Sequence, residues 1–275
     1  MANLNYYKNK IKNATLTEIL IGANIIMFLL TQLIDMTGGN GLLKLGAKVN
    51  PLIGLGEYWR LLTAMFLHAD IMHIVFNMLA LYIFGRDIER FFGKKKFLLI
   101  YFISGLVGSA ASFVLVDGMS VGASGAIFGL MGANLYLYKL NPMVYKRIYG
   151  RDMIILIVVN LVIGLIRPNI DMAGHIGGLI GGFVVASAVG INHMKLFSMK
   201  RLPYYVLAVI LLIAPIAGGT YRIQSDDTMF VSGAYYYYTD GRIEKSLSII
   251  EKGLKVHPDQ EDLLYMKSIL TQNSN

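Results

Sequence analysis

The chain has 275 residues, 55% of them hydrophobic and only 15% charged, with a formal net charge of +8 and no cysteine. An average soluble protein carries about 25% charged residues, so this composition argues against a water-soluble globule. The lack of cysteine rules out disulfides, a thiolate nucleophile and a thiolate-bound metal.

The charges are bunched, and the stretches between them approach the roughly 20 apolar residues that a membrane helix needs. Seven candidate spans follow in chain order: about 15–35, 70–85, 97–117, 122–138, 152–166, 173–192 and 203–219. Lys8, Lys10 and Lys12 precede the first, as in a signal peptide, but no small-residue cleavage pattern follows it, so it reads as retained. With a cytoplasmic N-terminus, fifteen basic residues fall inside and only Lys44, Lys48, Arg60 and Arg167 fall in outside loops. That asymmetry is the positive-inside rule, and it accounts for most of the net charge through anchoring at anionic lipid rather than through a nucleic-acid partner. The long loop over 36–69 is amphipathic and is expected in the interface, with Tyr58 and Trp59 at headgroup depth; a plain extracellular linker is the alternative.

Beyond the last span the chain becomes polar. The run AYYYYTDGRIEKSLSIIEKGLKVHP predicts two helices around a Thr-Asp-Gly turn. Ala234, Ser246 and Gly253 fall where a tetratricopeptide repeat packs helix on helix, with Tyr237, Ile250 and Pro258 in step. One repeat rarely stands alone, so the tail is expected to dock on the membrane domain, on a partner or on its own copy. The expected division is a cytoplasmic N-terminus over 1–14, a six-helix core over 15–192, a basic loop and seventh transmembrane helix over 193–219, and an extracytoplasmic helical tail over 220–275.

Candidate chemistry gathers at the outer ends of spans. Ser124, in Gly-Ala-Ser-Gly at 122–125, opens the fourth span, where the first backbone N–H groups of a helix lack partners and favour negative charge. Gly122 and Gly125 leave room for a substrate backbone to approach. Helix packing is the competing reading, because Gly125, Gly129 and Gly132 also suit close contact in membranes. His175, in AGHIGGLIGG, enters the sixth span from the same face, and Gly174, Gly178 and Gly182 make one smooth face that can press on the fourth span. A histidine within hydrogen-bond reach can then take the serine proton. In HADIMHIVFN, His73 and Asn77 lie at i,i+4 below His68 and can donate to a transition-state oxygen. A metal site and a structural polar contact are the other readings of this cluster; it lacks His-Glu-x-x-His, and Asp70 is its only acid. His193 and His257 look ordinary. Asp117 or Asp171 can be imagined orienting the imidazole, but a dyad without an acid is simpler.

These residues resemble the rhomboid intramembrane serine proteases. The likeness rests on Trp59-Arg60, on HADIMHIVFN with His68, His73 and Asn77, on GASG with Ser124, and on AGHIGGLIGG with His175, in the family's order over about 15–192. It implies an all-α membrane fold with a six-helix rhomboid core, here followed by a seventh C-terminal transmembrane helix and a small helical tail outside the membrane. It also implies a Ser124–His175 dyad, oxyanion stabilisation by His73, Asn77 and the Ser124 backbone, Gly122 as the motif glycine, and Phe128 as the aromatic residue beneath the imidazole. Trp59, Arg60, His68, Gly178 and Gly182 are motif positions with structural roles.

The resemblance further implies an endopeptidase in a bacterial plasma membrane that cuts membrane-anchored proteins in or near a transmembrane segment, without metal or cofactor. The seventh span and tail resemble a Gram-positive subgroup. The chain departs from that subgroup in a short N-terminus with no room for a cytosolic domain and a tail too short for a full repeat array. Both departures bear on whether the tail binds a protein partner. The alternative function is a catalytically silent rhomboid-like adaptor that binds membrane clients; dead relatives lose the serine or histidine, and both are present. A small transporter would need mid-span charges, which are nearly missing. Hydrolysis calls for a polar cavity opening outward between spans, gated by the loop before the sixth.

Overall fold

A computed structural model describes residues 15–149, 152–166, 170–226 and 228–272. The expected cytoplasmic segment 1–14 and Arg151 and Arg167 lie outside the described residues, as does 167–169 of the loop proposed as a gate. The described residues are almost entirely helical, with one two-stranded sheet.

The first long helix, α1 (Leu16–Met36), starts at a Thr15–Glu18 capping box. Its leading N–H groups are also met from outside: Leu16 and Thr17 donate to the Glu89 carboxylate. An anion at that end opposes the helix dipole favourably and satisfies orphan donors. The segment after α1 is neither a linker nor irregular. It folds as α2 (Gly41–Leu45), strand β1 (Lys48–Val49), α3 (Asn50–Gly54) and α4 (Arg60–Thr63). Its Ala47, Val49, Leu52 and Ile53 are completely buried.

Two helices of equal length come next, α5 (Ile71–Phe92) and α6 (Lys94–Leu115), turning at Gly93. Strand β2 (Met119–Ser120) then pairs antiparallel with β1, Lys48 opposite Ser120 and Val49 opposite Met119. The remaining elements are α7 (Ser124–Leu140), α8 (Pro142–Tyr149), α9 (Asp152–Ile166), α10 (Met172–Val189) and α11 (Leu202–Gln224). The tail forms α12 (Met229–Thr239), α13 (Ile243–Val256) and α14 (Glu261–Gln272).

Helices stand on all seven apolar segments, but they are not equal. Among the described residues, five are long and apolar enough to cross a membrane, and α8 with α9 makes a sixth only if the pair, bent by 83°, is one span. Helix α7, at 17 residues, falls short by length: at 1.5 Å per residue it reaches about 25 Å against a hydrocarbon core near 30 Å. It is nonetheless well enclosed, with Ala126, Leu130 and Ala133 fully buried. The chain is therefore a multi-pass, all-α membrane protein in which the short helix α7 is sheathed by its neighbours.

Glycine makes that sheath possible. A Cβ added at Gly178 would lie 2.0 Å from the Gly125 carbonyl oxygen, and one at Gly182 would lie 1.9 Å from that of Gly129. From the other side, a Cβ at Gly132 would meet the Leu179 oxygen at 2.0 Å. Helices α7 and α10 thus touch backbone to backbone, the contact that small residues allow in membranes. Gly125 itself differs, since its nearest atom would be 3.5 Å away.

This contrast sets a test. Gly182→Ala should cost about 2 kcal/mol or more, the scale of overpacking in a tight core, whereas Gly125→Ala should change stability by less than about 0.5 kcal/mol. Unfolding midpoints of both variants in detergent check the difference.

Candidate active site

Ser124 is the first residue of α7 and His175 the fourth of α10, so both stand in opening turns. The backbone contact just described sets the distance between those turns. Within it, His175 Nε2 lies 2.9 Å from Ser124 Oγ. The imidazole stacks on Phe128, with ring centroids 4.3 Å apart and planes 19° from parallel. Phe128 sits one turn after Ser124 on the same helix, so one element supplies both the hydroxyl and the floor under the ring.

The turn leading into Ser124 needs a glycine. Gly122 has φ +130°, a region that L side chains avoid, and its N–H donates to the Ala64 carbonyl at 2.9 Å. A Cβ there would stand 2.8 Å from His73 Nε2 and 3.7 Å from Ser124 Oγ. His73, on the first turn of α5, therefore points at the same spot as the serine. Its own backbone N–H is capped by Asp70 at 2.8 Å. Asn77 lies one turn on, buried, and His68 is fully buried, edge-on to the His73 ring with ring centroids 5.0 Å apart.

The Trp59-Arg60 pair lies apart from the hydroxyl and organises the first loop. Arg60 is completely buried, and its Nη1 donates to the carbonyls of Leu43 at 3.1 Å and Ala47 at 3.0 Å. Its Nε pairs with Glu57 at 2.6 Å. Trp59 stays half exposed, receives the Arg60 guanidinium on its face and covers Gly46.

Neither acid weighed as a partner for the imidazole fills that role. Asp171 is the N-cap of α10, accepting from Gly174 N–H at 2.8 Å and from Ser120 Oγ at 2.7 Å. Asp117 is engaged by Arg222 at 2.8 Å, a hydrogen bond that holds its carboxyl below the usual range. Among the described residues, the buried His175 Nδ1 has no hydrogen-bond partner.

A polar cavity of about 30 Å³ adjoins the pair, lined by Lys48, Ser109, Ser112, Ser120 and Asp171 as well as by Ser124 and His175. One water needs roughly 10–15 Å³ by this measure, so the cavity has room for about two. Lys48 was missed by motif reading. Its side chain is buried, and Nζ donates to Ser112 Oγ and the Val116 carbonyl, each at 3.0 Å. The only hint in the sequence was a lysine flanked by apolar residues in the amphipathic first loop. Burial pushes its amine down to about 8, with Asp171 and Asp117 pulling the other way.

A helical membrane protein with a partly buried serine–histidine contact beside a small cavity is the class that this fold and site define. A profile of the Rhomboid domain matches residues 55–192. The chain is 39% identical over 259 residues to Rhomboid protease GluP of Bacillus subtilis (strain 168), covering 93% of this chain and 50% of that protein. It is 38% identical over 133 residues to the Putative rhomboid protease YdcA of the same strain, covering 48% of this chain and 67% of that one. Against Rhomboid-like protease 3 of Toxoplasma gondii it is 32% identical over 206 residues, covering 70% and 78%. The chain belongs to the rhomboid family; it spans about half the length of the GluP relative.

The buried lysine gives a pH signature. From about pH 8 to 10.5 the folded amine has released its proton while the unfolded one keeps it, so stability should rise with pH across that window. The expected gain is about 3 kcal/mol. Melting curves between about pH 7 and pH 10.5 should show this rise in the wild type and lose it in Lys48→Met.

Proposed function

We propose that the chain is an intramembrane serine endopeptidase that hydrolyses peptide bonds in or near transmembrane segments of membrane-anchored proteins. The observation that carries the proposal is the 2.9 Å contact between His175 Nε2 and Ser124 Oγ beside a water-sized polar cavity.

Ser124 Oγ attacks the scissile carbonyl while His175 Nε2 takes its proton, which requires the neutral tautomer with hydrogen on Nδ1. The resulting oxyanion is met by the Ser124 backbone N–H, which the helix leaves unpaired, and by the side chains of His73 and Asn77. His175 then returns its proton to the leaving amine, freeing one product and leaving an acyl-serine ester. A water from the cavity, deprotonated by His175, attacks that ester and restores the hydroxyl. The unpartnered Nδ1 supports a dyad without a carboxylate. Phe128 keeps the ring planar to its own face, and Gly122 keeps the approach to the oxyanion open.

The reading includes a bacterial plasma membrane with the N-terminus cytoplasmic and the tail outside, supported by the fifteen-to-four distribution of basic residues. It also includes a seven-span topology, in which α7 counts as a span despite its length because its neighbours enclose it.

Purified full-length protein in detergent, incubated with a generic transmembrane substrate, tests this. Cleavage should be present in the wild type and reduced about 10³-fold or more in Ser124→Ala and in His175→Ala. Cleavage that survives either substitution sinks the dyad. Gly122→Ala should lower turnover at least about tenfold, through displacement of His73 from the oxyanion position.

A further inference from the structure

We propose that the C-terminal tail, α12–α14, is a positioning element for the Ser124 site, acting through strand β1; this rests on the protease reading above. The tail is built as a packed unit. Ala234, Tyr237, Ile249, Ile250, Leu263 and Leu270 form its apolar core, and Ser246 Oγ donates to the Ala234 carbonyl at 2.8 Å. That core is not closed by tail residues alone. Leu43, Val49 and Leu52 of the first loop complete it.

Val49 is the informative member. Successive side chains of a strand point to opposite faces, and β1 has only Lys48 and Val49. Val49 is fully buried in the tail core, while Lys48 lines the cavity beside Ser124 and His175. One dipeptide is therefore wall to two compartments. Its partner strand carries the link onward: Lys48 pairs with Ser120, and Ser120 Oγ binds Asp171, the cap of the helix bearing His175. Two residues beyond Ser120 is Gly122, in the turn that presents Ser124.

A polar tie runs in parallel. Glu57 Oε1 accepts from the Tyr237 hydroxyl and from Lys245 Nζ, both of the tail, while Oε2 accepts from Arg60. Arg60 in turn holds the Ala47 carbonyl, the peptide group next to Lys48. Burial raises the Glu57 carboxyl, but the bonds from Lys245, Tyr237 and Arg60 outweigh it and leave it below its ordinary range. The apolar and polar ties converge on the same strand.

Residues that share no contact normally add in their effects, and a coupled pair does not. Ile250, fully buried in the tail core, and Lys48, in the cavity wall, form the test pair. Full-length protein in detergent is assayed for cleavage of a transmembrane substrate and for labelling by a fluorophosphonate that reacts with activated serines. Ile250→Ala should lower kcat and the labelling rate about tenfold with KM within about twofold, and Ile250→Val should restore most of the loss. In a Lys48→Met background the same Ile250→Ala change should cost less than about twofold. Tyr237→Phe, which removes only the hydroxyl bond to Glu57, should lower kcat about threefold and serves if Ile250→Ala does not fold. Wild-type kcat in the tail variants, or an undiminished tenfold loss in the Lys48→Met background, overturns the positioning role. Labelling that persists in Ser124→Ala instead overturns the protease reading itself.

Discussion

Everything in this molecule that concerns chemistry depends on one constraint: two helix backbones, α7 and α10, in direct contact. Gly178 and Gly182 leave no side chain between their helix and the carbonyls of Gly125 and Gly129. Lipid offers little hydrophobic drive between helices, so dispersion over a smooth surface must supply the association. Close packing has a geometric result as well as an energetic one. It brings two opening turns within side-chain reach, and a short side chain such as serine then touches an imidazole without either extending from its helix. The packing and catalytic interpretations of the glycine pattern describe one arrangement.

The first loop handles a different problem, that of buried polar backbone. Its short elements cannot satisfy their own carbonyls, and an unsatisfied buried carbonyl is costly. Arg60 answers with a rigid fork aimed at Leu43 and Ala47, and Glu57 balances its charge. On the cavity side Lys48 donates to the Ser112 hydroxyl and to the Val116 carbonyl at the end of α6. The loop is thus held by cations inside and by the tail outside.

Much of this was legible beforehand, and the boundary of legibility has physical reasons. Ser124 and His175 were readable as polar residues at the mouths of apolar segments that enter from one face, and Phe128 only through the likeness to the rhomboids. The glycine face was readable because residues four apart on a helix share a side. The docking of the tail on Val49 and Leu52 was not, because a two-residue strand has no period and the contact spans more than 180 residues of chain. Lys48 looked like one of four outside charges, and only its pairing with Ser120 brings it to the cavity. Asp171 stands four residues before His175, a spacing that suits an imidazole partner as well as a helix cap; the tight turn before α10 directs its carboxylate to Gly174 and Ser120. Helix α7 read as an ordinary span, though its length is tolerable only with neighbours on every side.

The stacking of His175 on Phe128 has a consequence for how the imidazole can move. A flat ring lying 19° from parallel over another can glide in its plane while keeping its contact area, but it cannot tip without losing it. In the proposed mechanism the nitrogen must serve first the serine oxygen and then the leaving amine, which lie in different directions. An in-plane glide serves both with one nitrogen. Because the phenyl ring rides on the same helix as the hydroxyl, one element fixes both the track and its starting point.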